Sequence, residues 1–252
     1  MISNLKKAAL SSLKGSWGLG AGVTLLYFVI PAIGMFIIGS IIFLLFSLSL
    51  AMINPDAFVY YSVTGETQMD TTAAFFVGLA TFIMWVIIIF VFTAIQGMMH
   101  YGYCNFTLRL AKKESTKVGN LFEGFQRNNL FKSMKLAILQ AIYIFLWSLL
   151  LVIPGIIKFF SYSMAYYILL ENPECTASEA IKKSKEMMKG HKLDLFILWL
   201  SFIGWFILGS ILGMFTLSLP YLWISPYYTT TVSHFYLTLV NRNNIVGEKT
   251  VN

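Results

Sequence analysis

Lys158 is the one charged residue between Lys135 and Glu171. A cation inside an apolar run can hold a phosphate or a carboxylate, and intramembrane ionisable residues mark sites by default. The hydroxyls that follow it, on Ser161, Tyr162, Ser163, Tyr166 and Tyr167, can donate hydrogen bonds to the same group. A second polar stretch runs through Tyr227, Tyr228, Thr229, Thr230, Thr231, Ser233, His234 and Tyr236. If the two stretches face each other, they line a polar crevice with Lys158 at its rim. Its candidate residues are Lys158, Tyr162, Tyr166, Tyr227 and His234. Plainer roles compete with this one. Tyrosines collect at membrane interfaces, Ser and Thr pack helices together, and a lysine at a helix start can snorkel to the headgroups.

Catalytic chemistry has little to work with. All 11 acidic residues fall in loops or at helix ends, so no pair of carboxylates sits at mid-membrane. No H-E-x-x-H, G-x-S-x-G, P-loop or dinucleotide fingerprint occurs. His100, His191 and His234 are isolated from one another, and Cys104 and Cys175 have no CxxC spacing. These features predict no catalytic centre, no metal site and no cofactor. The missing acids also argue against proton-coupled transport, which uses an ionisable relay.

The elements that must carry these residues are membrane helices. The chain is 58% hydrophobic and 12% charged, against about 45–50% and about 25% in soluble domains. Its apolar blocks predict one all-α membrane domain over 1–252, a bundle of six transmembrane helices in three hairpins. The spans are placed near 20–46, 73–99, 136–153, 156–171, 194–217 and 220–240. In the first block Pro31 and Gly34 kink the helix, or its first turns lie along the interface. The long run Trp17–Ile53 lacks a cleavage site, so it reads as a retained span rather than a signal peptide. Charge chooses the count. With six spans, every Lys and Arg of the 18 except Lys158 lies on one side, while the opposite loop holds Asp56, Glu66 and Asp70. Taking 136–170 as one bent helix would put the lysine-rich 182–192 loop outside. Pro154-Gly155 then becomes an outer hairpin turn, and both termini are cytoplasmic. The net charge of +7 is explained by the same rule, so nucleic acid is not an expected partner.

Each hairpin is prefaced by a basic amphipathic segment, near 3–14, 117–132 and 176–189. In the third, Thr176 and Glu179 have capping-box spacing, and Gly190 is a stop signal. Ala177, Ile181, Ser184 and Met188 share a face, joined by Ala180 and Met187. Lys182, Lys183, Lys185 and Lys189 lie elsewhere around the helix, as candidate contacts for anionic phospholipids at the cytoplasmic face. "LKGSW" at 13–17 and "MKGHK" at 188–192 share a Lys-Gly step before a span.

The string P-G-I-I-K, S-Y-S-M-A, E-N-P, E-A-I-x-x-S, M-M-K-G-H-K and L-S-F-I-G-W within 146–205 resembles the DUF975 family of bacterial integral membrane proteins. "KKAALSSLKGSW" resembles the family's start, while "AYYIL" departs from an expected Pro after the Ala. The resemblance implies a multi-pass protein of the bacterial plasma membrane and brings no activity, because the family's function is unknown. The expectation is a non-enzymatic envelope protein acting through lipid or protein contacts, with stress or antimicrobial-peptide response as a context. Its partners would be the bilayer, a membrane protein or a second copy of itself. The alternative is a small transporter or channel-like protein with a crevice between spans three and six.

Overall fold

The structure, a computed structural model of the chain, describes residues 1–53, 63–64 and 71–249. Its regular elements there are all helical. They are α1 (Ile2–Leu13), α2 (Trp17–Ile53), α3 (Thr71–Ala111), a 3-10 segment (Val118–Phe125), α4 (Arg127–Leu150), α5 (Val152–Tyr162), α6 (Ala165–Glu171), α7 (Ala177–Met187), α8 (Lys192–Leu200), α9 (Ile203–Thr216) and α10 (Tyr221–Lys249). The expected acidic loop with Asp56, Glu66 and Asp70 lies outside the described residues.

Two compact units result, Met1–Phe28 with Ala94–Asn252, and Val29–Thr93. The second holds the remaining parts of α2 and α3. Its large apolar side chains, Phe36, Phe43 and Phe82 among them, are exposed, as expected of surfaces solvated by lipid. The first unit holds a packed core of α1, the end of α3, and α4 to α10.

Four helical stretches are long and apolar enough to cross a membrane: Trp17–Leu48, Phe75–Ala111, Arg127–Leu150 and Val152–Glu171. A fifth is the α8–α9 pair, bent by 40° where Ser201 and Phe202 interrupt it. The expected sixth span, now α10, does not qualify by composition, because its middle is the run of hydroxyls that marked it in the sequence. Those hydroxyls bond within the helix. Thr229, Thr231, Ser233 and Thr238 donate to the carbonyls of Ser225, Tyr227, Thr229 and His234.

Three local expectations change. The turn of the second hairpin is made by Leu151, with φ −161° and ψ 145°. Pro154 instead sits in the first turn of α5, where a missing N–H costs nothing. Gly155 lets α5 close on α4, since a Cβ there would lie 2.1 Å from Ser148 Oγ.

The segment 117–132 is not an amphipathic interfacial helix. It is the 3-10 segment, an extended Gln126, and then the first turns of α4. The reason is a strap laid directly on α3. A Cβ on Gly102 would be 1.8 Å from the Leu121 carbonyl oxygen, and one on Gly124 would be 2.1 Å from that of Met98. Glu123 fixes the strap, accepting from Asn105 and from Asn120 and pairing with Arg109 at 3.9 Å.

The amphipathic helices α1 and α7 form over the expected residues, but their apolar faces meet protein. Leu5, Ala9 and Leu13 of α1 are buried, as α1 packs along α10. Ala177, Ala180, Ile181 and Ser184 of α7 pack on α6, α4 and α5. The buried stripe of each helix is thus taken up by packing within the fold.

Candidate functional site

Three chain segments meet in the core: the end of α3, α6, and the middle of α10. Each carries a small or aromatic polar residue at the meeting point. Ser233 Oγ lies 3.1 Å from Thr107 Oγ1 and 3.4 Å from Tyr167 Oη, and all three groups are buried. Such a node is favoured in a dry interior only when every member finds a partner. Thr107 also donates to the carbonyls of Tyr103 and Cys104, so the node ties into the backbone of α3.

One turn along α10, the Tyr236 ring stacks on Tyr167 with centroids 5.2 Å apart. Its Oη donates to Glu171 Oε2 at 2.6 Å, and Lys112 Nζ pairs with Glu171 Oε1, also at 2.6 Å. Glu171, the last residue of α6, therefore joins the end of α3 to the middle of α10. It stands on the wall of a cavity of about 820 Å³, together with Asn105, Arg109, Lys112, Lys183 and Glu186. Arg109, Lys112 and Lys183 balance Glu114, Glu171 and Glu186 there. A second cavity of about 620 Å³ adjoins Glu171 and is bordered by Glu174, Cys175, Glu179, Lys182 and Lys183. This chemistry suits a small polar or zwitterionic group. Among the described residues no three His, Cys, Asp or Glu side chains are placed to hold a metal ion.

The expected crevice residues each meet different partners. Lys158 Nζ sits 4.2 Å from the centre of the Trp147 ring, a cation–π contact across the α4–α5 hairpin. The Tyr162 carbonyl accepts from Gln140 at 2.8 Å, and its ring lies 6.2 Å from that of Tyr143. Tyr166 packs edge-on against His100 at 4.7 Å. Tyr227 packs against Phe202 at 4.9 Å, and His234 Nε2 is 3.0 Å from Ser12 Oγ. Among the described contacts, none joins two of these five.

The three lysines of α7 and Lys189 just past its end are exposed but divide into two groups. Lys182 and Lys183 border the smaller cavity, and Lys183 Nζ lies 3.0 Å from Cys175 Sγ. Lys185 and Lys189 lie away from that carboxylate-rich wall. Glu179 closes the capping box, accepting from the Thr176 N–H at 2.8 Å, and these bonds hold its carboxyl below the usual range. In α1, Lys6 Nζ donates to the Ser201 carbonyl at 2.7 Å and lies over the Phe202 ring, where burial lowers its pKa.

Ser233 and Tyr236 of α10, Lys112 and Glu171 were not legible as a group from the sequence. They come from three separate stretches of chain, and only the fold brings them together. No curated protein and no solved structure matches the chain. The family described as "Protein of unknown function (DUF975)" matches residues 1–161 and 149–243. With the match running from residue 1 to 243, the chain belongs to the DUF975 family.

Proposed function

We propose that this is a non-enzymatic, multi-pass protein of the bacterial plasma membrane with both termini in the cytoplasm, and that its basic face holds anionic phospholipid headgroups. The observation that carries this reading is the orientation of α7. Its apolar face is packed inside the protein, so Lys185 and Lys189 are displayed permanently rather than on docking. Basic residues near an anionic surface contribute roughly 1 kcal/mol each. The exposed apolar side chains of α2, α3 and α9 support membrane embedding.

Native mass spectrometry of gently extracted protein tests the proposal. Retained anionic lipid is expected to fall several-fold in a Lys185→Ala, Lys189→Ala double variant, with neutral lipid unchanged. Equal retention of both classes in the parent and the variant would sink it. A retained protein instead of lipid would point to a partner-binding role.

A further inference from the structure

The geometry points to the α4–α5 hairpin as a wedge in one leaflet of the bilayer rather than a transmembrane pair, with Lys158 on the same side of the membrane as the lysines of α7. Several contacts fix that level. Ser184 of α7 donates to the Ser161 carbonyl at 2.9 Å and accepts from the Met164 N–H at 3.2 Å. Ser161 is three residues past Lys158, about one helical turn. Phe160 packs on Phe196 of α8 with ring centroids 5.7 Å apart. Lys158 is also near enough to Lys185 and Lys192 for their charges to act on it.

Length then decides the depth, for although α4 is long and apolar enough to cross, only its last three residues, 148–150, lie beyond Trp147, which stands level with Lys158. From Lys158 the chain runs back only six residues to Val152, the start of α5. At 1.5 Å per residue that is about 9 Å, against a hydrocarbon core of about 30 Å. By contrast, the chain beyond Lys192 continues for 24 residues to Thr216, about 36 Å of helix path that the 40° bend at Ser201 and Phe202 shortens but leaves long enough to cross. On the other side of Lys158 the chain enters protein rather than lipid. The best window of Val152–Glu171 is 56% buried, while those of Trp17–Leu48 and Phe75–Ala111 are 6% buried.

The tip is dressed for acyl chains. Leu149, Leu150, Leu151, Val152 and Ile153 are about 70% exposed or more, an apolar patch with no protein cover. Lys158 at its base complements an anionic headgroup layer. With α10 taken as a crossing on its length of 29 residues, although its hydroxyls keep it from qualifying by composition, four crossings remain, α2, α3, α8–α9 and α10, and both termini lie on one side. The positive-inside rule is then obeyed by all 18 Lys and Arg residues, with no exception at Lys158.

This inference rests on the membrane reading above but not on headgroup binding at α7. Cysteine mapping in intact and permeabilised cells tests it, with the parent chain as background because Cys104 and Cys175 are buried. Lys158→Cys is expected to react with an impermeant maleimide only after permeabilisation, as Lys185→Cys does, while Leu217→Cys reacts in intact cells. Reaction of Lys158→Cys in intact cells, or from neither side, would overturn the wedge. A nitroxide at Leu151→Cys, leaving Lys158 in place, gives a second reading. Shielding from an aqueous relaxation agent on both faces is expected, and accessibility equal to that at Leu217→Cys would overturn the inference. Release of the parent chain from membranes by carbonate would refute the membrane reading itself, and the wedge with it.

Discussion

Gly15 and Gly190 hold the same left-handed backbone, with φ of +86° and +85°. Each ends a Lys-Gly step between an amphipathic helix and an apolar one. The surrounding bonds correspond. Ser16 N donates to the Leu13 carbonyl at 2.9 Å, and His191 N to the Met188 carbonyl at 3.1 Å. Leu13 and Met188, two residues before each glycine, are both 0% exposed. One corner is therefore built twice, 175 residues apart in the chain.

The two corners should respond alike to the same change. A Cβ at either site meets open space, so strain comes from the backbone alone. Gly15→Ala and Gly190→Ala are each expected to cost about 1–2 kcal/mol. Thermal unfolding in detergent measures this, and a cost at only one site would break the correspondence.

The strap over α3 should be intolerant of any side chain at its contact points. Gly124→Ala puts a methyl into the Met98 backbone, where no rotamer change can help. Hydrogen exchange over 118–125 is expected to rise sharply, with overpacking costing about 1–3 kcal/mol or more. Unchanged protection would show that the strap is not seated on α3.

The Ser233 node can be emptied without changing shape much. Ser233→Val leaves Thr107 and Tyr167 facing an apolar group in a buried position. A loss of about 1–3 kcal/mol is expected. Ser233→Thr, which keeps the hydroxyl, should retain more of the stability than Ser233→Val.

The α7 cap carries a pH dependence of known sign. Glu179 has a depressed folded pKa, so its contribution is present above the ordinary carboxylate pKa and is lost as pH falls through the folded value. Exchange protection of the first turn of α7 should drop in that acid window. Thr176→Ala removes the reciprocal bond, is expected to cost about 1 kcal/mol at neutral pH, and should flatten the pH response.

Most of the helical elements were legible because apolar run length and capping chemistry are local signals. Thr176, Glu179 and Gly190 announce α7 and its end from their types and spacing. The strap was not legible, because the amphipathic spacing of 117–132 is compatible with a helix until Leu121 must seat on Gly102, 19 residues away. The surroundings of the residues after Lys158 were not legible for a similar reason. Apolar composition cannot distinguish a residue surrounded by lipid from one wrapped in protein, and 160–169 is wrapped. The charge cluster at Glu171 was hidden because its partners, Lys112 and Tyr236, are separated from it by 59 and 65 residues.

The Leu149–Ile153 tip also has a mechanical consequence. A body that displaces acyl chains in one leaflet and leaves the other untouched creates an area mismatch across the bilayer. Bending toward the thinner-packed side relieves that mismatch, so the wedge couples this protein to membrane curvature. Enrichment in small vesicles over large ones of equal composition would reveal the coupling, and shortening the tip should abolish it.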